Sequence, residues 1–267
     1  MSAGEPYGAC RPKFHHTGSI RPDVLYQRQR HSPDRLNNSQ RRTYDLLRST
    51  LMSTSRNLLL VERELTDALS ASRSTVRAVL QQLAREGLVT REPKNGTRAA
   101  GSLLLPIDEL KTMAQLPGDP SPPVESRTIE CRPVGCPPLV RDRLRLPADW
   151  TVLMIESLMV HDGLTIGLTV GYIAVSEGQS CGLDVEGQDV ISILERQLGI
   201  RIGPSRTTVG AVAADEQSAD LMGVDVGAPL IWLEDVIEDE NGQPRALSQL
   251  RLRGDRIAFS AMARRTT

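Results

Sequence analysis

Apolar side chains return at helical spacing three times in the first third of the chain. From Gln40 onward, Tyr44, Leu47 and Leu51 stand at i, i+3 and i+7, one face of an amphipathic helix. A second helical pattern over residues 62–71 places Leu65, Ala68 and Leu69 together, and a third over 73–86 carries Val76, Val79, Leu80 and Leu83. Ser72 stands where the third helix needs an N-cap, and Gly87 stands where it must stop. The stretch LVTREPKNGTRAA follows, two short extended pieces around Asn95-Gly96, the dipeptide that best tolerates the positive φ angles of a tight hairpin turn. A helix, a helix-turn-helix and a hairpin, in that order, outline a winged helix.

The period changes in the second half. Residues 151–161 and 164–174 are rich in β-formers and meet at Asp162-Gly163, and residues 230–238 are set to pair with 245–253 across Asn241-Gly242. Between these hairpins, residues 189–198 have helical spacing through Val190, Ile193, Leu194 and Gln197 and stop at Gly199, while 215–222 form a short helix. Hairpins rather than regular βαβ crossovers argue for an α+β domain on an antiparallel sheet. Residues 1–35 show neither period and predict a flexible basic tail. Residues 102–123, with Pro106, Pro117, Pro120, Pro122 and Pro123, predict a linker. The expected organisation is tail 1–35, winged helix 36–101, linker 102–123 and second domain 124–267.

Charge sharpens that division. The chain of 267 residues has a formal charge of −1, yet residues 1–101 hold 17 Lys and Arg against 9 Asp and Glu, and the remainder holds 15 against 24. A basic module suited to a polyanion therefore precedes an acidic one. No long uninterrupted apolar run and no secretory leader pattern occurs, so a cytoplasmic protein without a membrane partner is expected. Cys10, Cys131, Cys136 and Cys181 lack the spacing of a zinc site or a disulfide framework and are expected as reduced thiols. No nucleophile, phosphate-loop, dinucleotide or zinc-hydrolase motif is present, so no catalytic residue, metal or cofactor is assigned.

The basic module offers concrete chemistry. On the third helix Arg73, Ser74 and Arg77 lie opposite the apolar stripe, where the N-terminal side chains of a recognition helix reach base edges, and arginine can bind guanine through two hydrogen bonds. The turn Lys94-Asn95-Gly96-Thr97-Arg98 is positive, with a glycine for close backbone approach. The stretch VERELTDALSASRSTVRAVLQQLAREGLVTREPKNGT resembles the winged helix of the GntR family, with its ERELA-type second helix, SRxTVRxAL-type recognition helix, GL step and G-T wing tip. The resemblance implies contacts to double-stranded operator DNA by Arg63, Arg73, Thr75, Arg77 and Gly96, and the flanking Ser72 and Ser74 with the wing residues Lys94, Asn95, Thr97 and Arg98 are further candidates. Where the family has Leu-Pro-Ser before the second helix, this chain has Leu60-Val61, which alters that helix's N-cap.

The second half resembles the UTRA ligand-sensing domain of the HutC subfamily, which has a chorismate-lyase-like fold. The resemblance is carried by Leu198-Gly199-Ile200, Leu221-Met222-Gly223-Val224, Gly227 with Pro229-Leu230, Asp239 with Gly242 and Pro244, and Arg253-Gly254-Asp255-Arg256. It implies a small-molecule effector and a homodimer. At positions where phosphosugar-sensing relatives carry charges, this chain has Ser157, Met159, Thr169, Ala246, Leu247 and Leu252. A buried phosphate would need cationic partners, so a neutral, more apolar effector is expected. Candidate effector residues are Ser157, Met159, Thr169, Ser248 and Leu252, with Arg206 for a carboxylate. Thr169 and Ser248 also fit strand residues satisfied by local hydrogen bonds.

Three structural roles complete the expectations: His161 in a turn, the acidic run 234–240 protecting an exposed strand edge, and Asp255 pairing with a neighbouring arginine. Together they predict a homodimeric repressor that leaves an inverted-repeat operator when its effector binds. Two alternatives stay open: a plasmid-type regulator whose second domain only dimerises, and a DNA-tethered lyase-like enzyme.

Overall fold

The computed structural model describes residues 39–52, 58–92, 96–116, 123–175 and 182–265. The expected tail and two wing residues, Lys94 and Asn95, lie outside them.

In the N-terminal domain, α1 (Gln40–Met52) buries Thr43, Leu47 and Leu51, α2 (Glu62–Ala68) follows, and α3 (Arg73–Arg85) buries Val76, Val79, Leu80 and Leu83. Each of these α3 side chains has 0% exposure, and such burial is worth roughly 1.5–3 kcal/mol apiece. The Ser72 hydroxyl accepts from the Thr75 N–H at 3.0 Å, capping α3 as its sequence predicts. At the other end Gly87 adopts φ +73° and the Leu88 N–H returns to the Leu83 carbonyl. The α2 N-cap is Val61, which offers no side-chain bond. Strands β1 (Leu59–Leu60), β2 (Val89–Glu92) and β3 (Gly96–Ala99) form a sheet in the order β1-β3-β2, the last two being the wing. Leu60, Leu88, Val89 and Ala99 close this domain's core with the helices.

The segment expected as a linker is partly structured. Leu103–Pro106 forms β4, which pairs in parallel with β11 (Ile257–Ser260) at the end of the chain, and Met113–Gln115 forms a 3₁₀ turn capped by Thr112. The pairing partner lies some 150 residues downstream, so nothing local in the sequence reports it. Leu105 and Ile257 are buried where the two strands meet the sheet.

The C-terminal domain is built on a six-stranded antiparallel sheet, ordered β5-β6-β7-β10-β9-β8. Its strands are β5 (Val124–Gly135), β6 (Thr151–His161), β7 (Leu164–Ile173), β8 (Ile202–Ala213), β9 (Pro229–Asp239) and β10 (Pro244–Arg253). The turn joining β6 to β7 has positive φ at both Asp162 and Gly163, the geometry that matches the right-handed twist of a hairpin. Helices α4 (Pro138–Leu144) and α6 (Glu216–Met222) pack on one face, against Val152, Val236 and Leu247, and against Leu168 and Leu230. On the other face lies α5, a helical turn (Val190–Ser192) running into a π-helical turn (Ile193–Gln197), packed on Leu153, Ile155, Ile173 and Ile237. The strap of residues 103–116 covers the rest of that face.

The acidic run needs a different explanation from edge protection. Strand β9 is not an edge: β8 pairs along its second side. Glu234 is buried and accepts from Arg143 and from Gln249, and Asp239 is buried at the β-turn, where it accepts from the Asn241 and Gln243 N–H groups and from Arg245. Among the described residues no helix is long and apolar enough to cross a membrane.

Candidate functional site

Two surfaces carry chemistry. The first is the outer side of α2 and α3. Arg63, Arg73, Ser74 and Arg77 are exposed and Thr75 is half-buried, as the helical phase of the apolar stripe requires. Glu62 ties this surface together: its carboxylate lies 3.2 Å from Arg77 and 3.6 Å from Arg91 at the base of the wing. The Arg77 side chain remains 63% exposed, so this pair contributes little stability and leaves the guanidinium open to a partner. At the wing tip Gly96 is exposed with φ +81°, a conformation that L side chains rarely adopt.

Two of the expected DNA contacts are placed otherwise. Thr97 is buried, pointing into the wing sheet opposite Leu60 and Arg91, because alternation along β3 turns it inward. The Ser72 hydroxyl is engaged as the α3 cap and also bonds the Ser74 and Thr75 hydroxyls. Arg98 is half-buried, across from Thr90.

The second surface is an interior one. A cavity of about 170 Å³ lies between the sheet and the strap. Alternate residues of six strands line its floor: Ser126, Ser157, Met159, Thr169, Thr207, Asp235, Ser248 and Leu252 face it, while Leu105, Met113 and Leu116 of the strap roof it. Five candidates chosen from sequence, Ser157, Met159, Thr169, Ser248 and Leu252, thus converge from three strands. Arg206 does not join them. On β8 the two-residue period sends Ser205 and Thr207 toward Asp235 and leaves Arg206 exposed. That correction follows from β8 lying beside β9, which was not legible in the sequence.

Several lining residues escaped sequence reasoning. Asp235 accepts hydroxyl bonds from Ser205 and Thr207, and burial raises its pKa against the lowering effect of those bonds. It sits in the acidic run, where alternation alone would have separated it from Glu234. Ser126 Oγ, Thr169 Oγ1 and Gln188 Oε1 line the cavity and find no hydrogen-bond partner among the described residues. Buried polar atoms are rarely left in that condition, which marks the cavity as a place where a polar ligand or water completes the bonding. Gly171 and Gly167 pack against lining residues: a Cβ would come within 2.6 Å of Val190 Cγ2 at the first and of Leu252 Cδ2 at the second. Their missing side chains let α5 close on the sheet and leave room for the Leu252 side chain beside β7.

The two domains meet at one turn. The Leu103 N–H donates to the Arg256 carbonyl, Arg256 Nη1 donates to the Gly87 carbonyl at 2.6 Å, and Arg48 reaches the Gly254 carbonyl at 3.4 Å. Arg253 donates twice to Asp255, at 3.0 and 2.8 Å, which holds the turn in shape. The strap, the end of α3 and α1 are thus fastened to the Arg253–Arg256 turn beside the cavity.

The UTRA domain matches residues 123–258, and the gntR family of bacterial regulatory proteins matches residues 39–98. The chain belongs to the GntR family of transcriptional regulators. The HTH-type transcriptional regulator Rv0792c of Mycobacterium tuberculosis is 26% identical to it over 216 residues, 77% of each chain. A probable fructoselysine utilization operon transcriptional repressor of Escherichia coli is 22% identical over 204 residues, 74% of this chain and 82% of that one. The fold agrees with the crystal structure of PhnF from Mycobacterium smegmatis, at a TM-score of 0.58 and 20% identity over 84% of this regulator and all of that chain. Domains and relatives alike are those of a DNA-binding regulator and not of an enzyme. Among the described residues no group of His, Cys, Asp or Glu converges as a metal centre.

Proposed function

We propose that this regulator is a repressor that binds an inverted-repeat operator as a homodimer and leaves it when a small molecule occupies the cavity of the UTRA domain. The observation that carries the proposal is the position of that cavity: its roof is the strap that runs directly into the DNA-binding domain. A molecule pressing on Leu105 and Met113 acts on the segment whose start is held at Arg256, beside Gly87 at the end of the recognition helix. To shift the equilibrium, the effector must bind one arrangement of the winged helix more tightly than the other.

One recognition helix reads one half-site, so a twofold protein matches a twofold operator. Both ends of the UTRA sheet, β5 and β8, are edges with exposed Ile129 and Val209, surfaces that a second protomer could cover. Arg73 and Arg77 read bases, while Arg63, Arg98 and the wing hold phosphates. Selection of bound duplexes from a random pool is expected to return an inverted repeat. Arg73→Ala and Arg77→Ala are each expected to weaken binding to it by about 1–3 kcal/mol in a gel-shift titration. Recovery of no common sequence, or wild-type affinity in both variants, overturns the assignment.

A further inference from the structure

The cavity has a definite electrostatic character. Its charged lining residues are Glu109, Lys111, Asp189 and Asp235. Glu109 and Lys111 satisfy each other at 2.6 Å. Asp189 is consumed by α5 and the strap, accepting from the Ser192 N–H at 2.8 Å and the Met113 N–H at 2.9 Å. Asp235 has neither a cation nor a backbone N–H to offset it: the Ser205 and Thr207 hydroxyls are its hydrogen-bond partners among the described residues. Ser248 stands beside it in register on β10. A carboxylate withdrawn from water without a counter-charge is costly, and burial raises its pKa accordingly.

Around Asp235 the walls are mostly apolar, formed by Leu233, Ile237, Leu250 and Leu252. Elsewhere in the lining Gln188 Oε1 also lacks a donor, and Ser126 and Thr169 offer hydroxyls that can accept as well as donate. The cavity therefore asks for donors and positive charge, and an anion would meet Asp235 with only Lys111, already paired with Glu109, to offset it. Its size sets the rest. A cavity of about 150 Å³ is enough for benzene, so about 170 Å³ holds one ring and a short polar arm.

Resting on the effector-pocket reading above, we propose that the regulator recognises a small amphipathic amine, whose ammonium group binds Asp235 and whose apolar body lies under the strap. An ammonium carries three donors and no acceptor, which matches the Asp235 carboxylate and the Ser248 and Thr207 hydroxyls in register with it. The ligand class differs from phosphorylated or carboxylated metabolites because the counter-charge in this pocket is negative.

Three probes of nearly equal shape separate the possibilities: 2-phenylethylamine, 2-phenylethanol and 3-phenylpropionate, titrated calorimetrically into the full-length protein and into Asp235→Asn. The amine is expected to bind wild type at least about tenfold more tightly than the alcohol, and Asp235→Asn to abolish that preference. Retained binding of the alcohol by Asp235→Asn shows that the variant pocket is folded. The proposal is overturned if the carboxylate binds as well as the amine, or if Asp235→Asn leaves the amine's advantage intact. Binding of none of the three up to millimolar concentration removes the effector pocket itself, and this inference with it.

Discussion

Asp255→Ala tests how firmly the Arg253–Arg256 turn is built. Arg253 and Asp255 are 12% and 23% exposed as side chains and joined by two hydrogen bonds, while Arg253 keeps one further acceptor, the Met222 carbonyl at 3.1 Å. Exposed ion pairs are worth about 0.2–1 kcal/mol, whereas breaking a buried one costs about 3–5 kcal/mol. This pair lies between those limits, and the remaining Met222 bond softens the loss, so Asp255→Ala should destabilise the UTRA domain by about 2 kcal/mol. Urea unfolding followed by tryptophan fluorescence measures this directly, because both tryptophans, Trp150 and Trp232, belong to that domain. A double-mutant cycle with Arg253→Ala should return a coupling of about 1 kcal/mol.

The same carboxyl group predicts a pH dependence. Burial pushes the Asp255 pKa up, but the hydrogen bonds and charge of Arg253, with the charge of Arg256, outweigh it and hold the group below its ordinary value. A carboxyl group lowered in the native state contributes stability above its unfolded pKa of about 4 and loses it as the pH falls through the native value. The gap between wild type and Asp255→Ala should therefore be full at pH 7 and narrow below about pH 4. A coupling below about 0.3 kcal/mol, or a gap that widens on acidification, refutes the reasoning.

Two further outcomes follow from the cavity. Gly171→Ala places a methyl group within 2.6 Å of buried Val190 and should cost about 1–3 kcal/mol by overpacking, read as a lower urea midpoint at unchanged slope; wild-type stability would mean that α5 yields freely. For ligand-free Asp235 the sign is opposite to that of Asp255. Its raised pKa makes ionisation unfavourable in the native state, so this group's contribution to stability declines as the pH rises from about 4 through the native value. The hydroxyls of Ser205, Thr207 and Ser248 surround it, and Glu109, Lys111 and Asp189 are the other titratable groups lining the cavity. Asp235→Asn should match or exceed wild-type stability at pH 7, and a clearly less stable variant would contradict this account.

Much of the recognition surface was legible without a structure because helix phase is local. Once Val76, Val79, Leu80 and Leu83 are inside, Arg73, Ser74 and Arg77 have to be outside. Thr97 was misplaced because the wing adds strand alternation, which depends on the register of β3 against β1 and β2. In the second domain Thr169 and Ser248 were found from the family resemblance, whereas Asp235 and Ser126 were not. No local pattern distinguishes a strand's cavity face from its helix-covered face when both are buried.

The sequence by itself determined what depends on neighbours within a few residues: the amphipathic helices, the Ser72 cap, the hairpin turns at Asp162-Gly163 and Asn241-Gly242, and the division into a basic and an acidic module. Tertiary structure alone decided that β8 pairs with β9, that β4 crosses to β11, and that the strap roofs the sheet. Those choices turn Arg206 outward, bring Asp235 and the unsatisfied hydroxyls to one cavity, and fasten that cavity to the recognition helix through Arg256 and Gly87. The physical reason is one of range. Hydrogen bonding and periodicity act over a few residues and are written in them, while burial is shared among segments that meet only when the whole chain has folded.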